Sequence, residues 1–344
     1  MSAGFRAVQW NRAKVVYDLV ALTGIVAYIW IFLAVERALE PPPNLPAEID
    51  LRVRAFGTCA FLLLTVILSI GPLARLDARF LTLLYNRRHL GVMTFCVAAI
   101  HFWFMLDWYL VQGSLHTLLP EFSHLADYGR FPGFPFKLLG FVALLILLAM
   151  AATSHDYWLK FLSPPVWKAI HMALYVAYGL VVLHVALGTM QGDRHPVIPI
   201  LLAVALVTVA TLHILAGRRE AALDRGAAVD GGWLAVGPPG SIPDKAARIV
   251  AGPGGERIAV FRDGNRVAAV TNVCAHQNGP IGEGRVVDGC IVCPWHGYEY
   301  RLENGCAPAP FTEKLATYTV RLRGGTLEVD PTPLAPGTPA SIVV

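Results

Sequence analysis

Four residues near the C-terminus have the types and spacing of metal ligands: Cys274-Ala-His276, then sixteen residues, then Cys293-Pro-Trp-His296. Two thiolates and two imidazoles, delivered in pairs by two short loops, suit a [2Fe-2S] cluster with both thiolates on one iron and both imidazoles on the other. Tetrahedral zinc also takes Cys2His2 sets. The one-residue Cys-x-His gap between glycine- and proline-bearing turns favours the cluster. Each loop must aim two side chains at one cluster edge, and Gly279-Pro280 with Pro294 and Gly297 supply the turns. Cys290 and Cys306 are read as packing beneath these loops, and Cys59 and Cys96, inside apolar runs, as small buried hydrophobes.

A second set of candidates lies in the apolar N-terminal half. His101 falls mid-way along one apolar segment, and His171 and His184 share another, thirteen residues apart. At 1.5 Å per residue that offset is roughly 20 Å along a helix, a spacing that suits two haems stacked across a bilayer. Thirteen residues also turn an ideal helix by about 220°, so the two imidazoles share a face only if the helix kinks. Ionisable groups inside a membrane are costly unless they are used, which gives these histidines a functional reading. His116, His124 and His195 fall in outer loops and are read as surface residues.

The elements that must position these groups follow from hydropathy. The chain has 344 residues, 15% of them charged, and a mean hydropathy of +0.53. Those values place it among membrane proteins of about two domains. Six segments are long and apolar enough to cross a bilayer: 15–35, 55–73, 90–111, 136–152, 166–187 and 197–215. Near the segment ends, twelve Lys and Arg residues fall on one side and six on the other. The positive-inside rule then puts both termini in the cytoplasm, as in a multi-pass protein of a bacterial-type inner membrane. Arg75, Arg79 and Arg88 are read as interfacial anchors within reach of haem propionates. A net charge of +4 without a dense basic tract argues against nucleic acid as a partner. The chain shows no internal repeat and no cleavable leader, and its cysteines do not form a secreted disulfide framework.

Beyond a short polar linker the pattern changes to short strands broken by turns. Arg257–Arg262 and Arg266–Thr271 flank Asp263-Gly264-Asn265, and Tyr318–Arg323 precedes Gly324-Gly325. The expected organisation is a multi-domain membrane protein: a six-helix transmembrane bundle over 1–218, a linker over 219–230 and an all-β domain over 231–330. A Pro-, Ala- and Thr-rich tail over 331–344 is expected to lack fixed structure.

The stretch CAHQNGPIGEGRVVDGCIVCPWHGYEY, with Asn304-Gly305 and Pro308-Ala309-Pro310 after it, strongly resembles the Rieske ferredoxins and the N-terminal domains of ring-hydroxylating oxygenases. That resemblance implies three stacked antiparallel sheets with the cluster at the tip, held by Cys274, His276, Cys293 and His296. The respiratory Rieske type carries an extra cysteine in each loop, forming a disulfide. Here Pro280 and Trp295 or their neighbours stand there, so the brace is absent. The serine that donates to a bridging sulfur in that type aligns with Tyr298, while a tyrosine is kept at Tyr300. Fewer donors imply a potential toward the low end of the Rieske range of about −150 to +300 mV.

The stretches NRRHLGVMTFCVAAIH and ATSHDYWLKFLSPPVWKAIHMALYVAYGLVVLH are similar to the ferric-reductase-like transmembrane family, and within it to the haem-binding membrane subunit of the periplasmic methionine sulfoxide reductase system. The resemblance implies a b-type haem held by His101 and His184 toward the outer side, and a second centre near His171 toward the cytoplasm. For His171 the candidate partners are Arg87, His89 and His213, so one haem or two remain open.

These features predict an electron carrier, a component of an oxidoreductase system rather than a self-contained catalyst. Electrons would enter at the cluster from a cytosolic reductase or ferredoxin and pass through haem to a periplasmic or extracellular acceptor. The chain has no Gly-rich dinucleotide fingerprint. Only 48 residues follow His296, too few for the iron domain of an oxygenase. The alternative is a membrane redox partner or quinol-linked cytochrome, with quinone as a partner and Asp107, Trp103 and Trp108 near its site, supplying a separate reductase or oxygenase.

Overall fold

The computed structural model describes residues 12–84, 86–118, 136–154, 158, 162, 164–192, 197–225, 229–276, 278–295 and 297–344. The contacts divide the chain into two units. One comprises Asn11–Ser69 with Arg87–Thr211; the other contains Ile70–Asn86 and Leu212–Val344.

Seven helices of at least nine residues are described: α1 Arg12–Leu39, α2 Leu45–Leu76, α3 Arg87–Val111, α4 Phe136–Ala152, α5 Pro164–Met172, α6 Leu174–Gly192 and α7 Val197–Arg225. Five spans are long and apolar enough to cross a membrane, one of them running through α5 and α6, and α4 is a shorter apolar helix. The turn after α1 is set by three prolines. Asn44 then caps α2, its side-chain oxygen accepting the Ala47 amide at 3.0 Å. Glu48 ties the same corner through Arg37 and, at 3.1 Å, Arg52. The core of the first unit is built by Phe61, Leu64 and Leu68 of α2, Ala143 and Leu147 of α4, and Tyr178 of α6, among others. Helices α4 and α6 lie closest together, because Gly140 and Gly188 present no side chain at their contact. Of the two membrane cysteines, Cys59 is buried as expected, whereas Cys96 faces outward from the helices.

The fifth apolar segment is not one helix. The Ala173 amide bonds Ile170 at 3.2 Å, a tightened turn, before α6 starts. His171 therefore lies in the last turn of α5 while His184 lies in α6.

In the second unit, α7 runs to Arg225, so the first half of the expected linker is helical. Glu220 of α7 faces two guanidiniums, Arg75 of α2 at 3.6 Å and Arg257 at 3.4 Å. Among the described residues the β-rich head has eleven strands: β1 Val229–Asp230, β2 Trp233–Gly237, β3 Ala247–Ala251, β4 Arg257–Asp263, β5 Arg266–Thr271, β6 Arg285–Val287, β7 Cys290–Val292, β8 Glu299–Arg301, β9 Thr317–Arg323, β10 Thr326–Pro333 and β11 Ile342–Val343. All pairings are antiparallel. One sheet has the order β1-β2-β10-β9-β5-β4-β3 with β11 added on β5, and a second has β6-β7-β8. Two hydrogen-bonded sheets thus replace the three expected, because β9 pairs with both β10 and β5 and joins what would otherwise be separate layers.

Strands β4 and β5 are buried on both faces. Ile258 and Val260 enter one core, Ala259 and Phe261 the other, as the two-residue period of a strand dictates. The β9–β10 hairpin turns at Gly324-Gly325, both at positive φ (57° and 79°), the backbone a two-residue type I′ turn requires. The tail expected to lack structure is ordered. Ile342 pairs with Val267, and Gly337 fits against Lys314 and Cys306.

Candidate functional site

In the head, the two ligand loops follow β5 and β7 and share one backbone design. The Cys274 amide donates to the Gly279 carbonyl and its carbonyl accepts the Asn278 amide, both at 2.8 Å. Cys293 repeats this with Tyr298 and Gly297, again at 2.8 Å. The residue closing each turn, Asn278 or Gly297, has positive φ (57° and 68°). Both thiols are buried. A Cβ at Gly279 would stand 3.1 Å from the Cys293 sulfur, so glycine leaves the space between the loops clear. This chemistry of buried thiols on paired turns fits a metal cluster. His276 lies on the first loop, whereas His296 falls outside the described residues.

Two tyrosines line the loops in different ways. The Tyr300 oxygen accepts the His276 amide at 3.1 Å and lies 3.3 Å from the Cys274 sulfur, a contact in which either group can donate. The Tyr298 hydroxyl donates instead to the Glu313 carboxylate. Burial, then Glu313, raises the Tyr298 hydroxyl above the ordinary phenol range, and burial, then Cys274, does the same at Tyr300. Both therefore stay protonated. Cys290 and Cys306 are half-buried beside the loops.

In the helical unit, His101 of α3 and His184 of α6 meet across one cavity. Their ring centres are 6.3 Å apart with planes at 84°. Each Nδ1 is held by a main-chain carbonyl 48 residues earlier: Val53 at 2.8 Å for His101, Phe136 at 2.9 Å for His184. With Nδ1 engaged, Nε2 is the nitrogen left to bind a metal. His101 and His184 would then offer one ring nitrogen each to a metal group held in the cavity that both line.

The cavity holds about 250 Å³ and is lined mostly by apolar side chains of α2, α3, α4 and α6. Its two sides repeat each other. On α2, Val53 supplies the carbonyl, Arg54 a cation and Gly57 the clearance for His101; on α4, Phe136, Lys137 and Gly140 do the same for His184. A Cβ at Gly57 would come within 2.9 Å of the His101 ring, and one at Gly140 within 2.8 Å of the His184 ring. This is an internal echo that the sequence did not disclose, because its shared residues are few and only roughly alike. Arg54 was also missed. Its Nε is buried without a hydrogen-bond partner among the described residues, and Glu36 lies 3.8 Å from its Nη2.

His171 stands apart from this pair. Its ring stacks on Trp167 at 3.8 Å, its Nδ1 meets the Trp167 carbonyl at 2.9 Å, and its Nε2 is buried without a hydrogen-bond partner among the described residues. Of its three candidate partners, Arg87 lies close enough to act on it electrostatically. His89 pairs with Asp18 at 2.7 Å, and His213 belongs to the other unit. Arg75 meets Glu220, and Arg79 pairs with Asp77 at 2.6 Å. Among outer-loop histidines, His116 is surface-exposed, and His124 and His195 fall outside the described residues.

Residues 232–319 match the Rieske [2Fe-2S] domain and residues 55–182 the ferric reductase like transmembrane component. The anthranilate 1,2-dioxygenase ferredoxin subunit of Burkholderia cepacia is 36% identical over 88 residues, 25% of this chain and 79% of that one. The heme-binding subunit MsrQ of the protein-methionine-sulfoxide reductase of Bordetella pertussis is 29% identical over 167 residues, 48% of this chain and 73% of that one. The magnetosome protein MamZ of Magnetospirillum gryphiswaldense is 28% identical over 195 residues, 56% of this chain and only 27% of that one. The chain therefore belongs to the Rieske [2Fe-2S] family through its head and carries a ferric-reductase-like transmembrane component ahead of it, which makes it a multi-pass membrane redox protein.

Proposed function

We propose that this protein carries single electrons from a cytosolic donor, through the Rieske head, to a b-type haem in the helical unit and on to an acceptor at the outer face. The observation that carries the reading is the His101–His184 pair, with ring centres 6.3 Å apart across a cavity of haem-compatible chemistry, on a chain that also bears a Rieske domain. One-electron exchange is the chemistry that haem and cluster supply when bound.

The residues divide the work. Cys274, His276, Cys293 and His296 hold the cluster. His101 and His184 hold the haem, their tautomers set by the Val53 and Phe136 carbonyls. Arg54 and Lys137, lining the same cavity, are cations for its two propionate carboxylates. The haem-binding role named for the Bordetella pertussis relative supports this occupant. Apolar walls from Phe61, Leu64 and Leu147 keep water away and favour transfer over oxygen chemistry. His171, with Trp167 against its ring, is proposed to hold a second centre toward the cytoplasm. The distribution of Lys and Arg supports a cytoplasmic side for both termini and the head. The donor is a separate reductase or ferredoxin.

Purified full-length protein tests this directly. It is expected to show b-type haem absorption and a Rieske electron-resonance signal together. His184→Ala should remove the absorption of the haem held between His101 and His184 and leave the cluster signal at wild-type intensity. Haem retained at full occupancy in both His101→Ala and His184→Ala would contradict the assignment.

A further inference from the structure

One cluster of polar groups in the head lies off the proposed electron path. Tyr298 is 2% exposed, and its ring lies parallel to that of His276, 4.7 Å away at 12°. Phe311 closes the other side of the tyrosine at 5.0 Å. Its hydroxyl donates to Oε2 of Glu313. The same oxygen accepts the Thr312 amide at 3.1 Å, and the Glu313 main-chain carbonyl accepts the Ala307 amide at 2.9 Å. The carboxylate is thus held by two donors and its backbone by a third, one tyrosine ring away from His276.

We propose that Tyr298 and Glu313 are positioning residues that fix the plane of His276 and hold a negative charge beside the histidine edge of the cluster, lowering its reduction potential. This rests on the assignment of His276 as a ligand. The electrostatic sign is direct. Reduction adds one electron from an external one-electron donor to the cluster and breaks no bond, so the site becomes more negative by one charge. A carboxylate fixed nearby opposes that change. Tyr300 lies 3.3 Å from the Cys274 sulfur, and a proton donated there to a thiolate would act in the other direction, favouring the reduced state. The residue at position 298 thus not only fails to donate to a sulfur, but recruits an anion.

The test is a redox titration of the full-length protein with mediators at constant pH, read by the Rieske electron-resonance signal. Glu313→Gln keeps a hydrogen-bond acceptor and removes the charge. It should shift the one-electron equilibrium threefold to tenfold toward the reduced cluster, tenfold being about 59 mV. Tyr298→Phe keeps the ring against His276 but frees the carboxylate, and should shift the potential the same way with the g-values preserved. Glu313→Asp keeps the charge and should restore most of the wild-type value. Potentials within error of wild type in both Glu313→Gln and Tyr298→Phe would overturn the proposal, as would equal shifts in Glu313→Gln and Glu313→Asp. A wild-type protein with no Rieske signal would instead sink the ligand assignment beneath it.

Discussion

His101 and His184 face each other with ring centres 6.3 Å apart, each steered by a carbonyl 48 residues earlier in the chain. The two imidazoles arrive from different helix pairs, α2 with α3 and α4 with α6, and each pair brings the same three devices. A carbonyl fixes the ring, a glycine one turn further on gives it room, and a cation sits next to the carbonyl residue. A cavity framed in this way treats its two sides nearly alike, so lesions on either side should behave alike.

The two glycines test that symmetry. Gly57→Ala and Gly140→Ala each put a methyl group within 3 Å of an imidazole ring. Overpacking of this kind costs about 1–3 kcal/mol, and the ring must yield. Both variants should bind haem at reduced occupancy or with altered low-spin spectra, measured by optical absorption of purified protein. Gly91→Ala, where a new Cβ meets nothing within 4 Å, should match the wild type.

The contact of Glu220 with Arg75 and Arg257 is expected to matter little for stability. All three side chains are about one-quarter to two-fifths exposed, and such pairs are worth about 0–1 kcal/mol. Glu220→Gln should move the denaturation midpoint of the head by less than about 1 kcal/mol in free energy, with the difference vanishing at high salt. A larger loss, followed by circular dichroism of the cluster, would show that this network holds the head in shape.

Glu299 gives a pH-dependent signature. Burial, then the neighbouring Asp288 charge, raises its carboxyl above the ordinary value. The folded head then holds this proton to higher pH than the unfolded chain, so its stability falls as pH rises from the unfolded value near 4.5 through the folded one. Glu299→Gln should be more stable than wild type at neutral pH and indistinguishable from it below pH of about 4. Paired thermal melts at the two pH values measure this. A variant no more stable at neutral pH would mean that the buried carboxylate is compensated.

Much of the architecture was legible in the chain. Apolar runs marked the helices, because a bilayer span demands length and composition rather than tertiary detail. The ligand loops were legible because a cluster edge constrains residue type and spacing within a few positions. Gly57, Gly140 and Arg54 were not, since their meaning arises only when helices far apart in the chain are packed together. The break at Ala173 carries no proline or glycine to announce it. The tail misled for a related reason: its Pro-rich composition resembles a disordered segment, yet Ile342 and Val344 bury against the second core of the head.

The central claim is that the cluster feeds the haem within one polypeptide. It is tested most directly by rapid-mixing absorption spectroscopy on full-length protein in lipid nanodiscs, with a reduced ferredoxin as donor and the haem band as readout. Haem reduction should follow cluster reduction in the wild type, and Cys293→Ser, which removes the cluster, should slow it at least a hundredfold while haem content is unchanged. Equal haem reduction rates with and without the cluster would contradict the account.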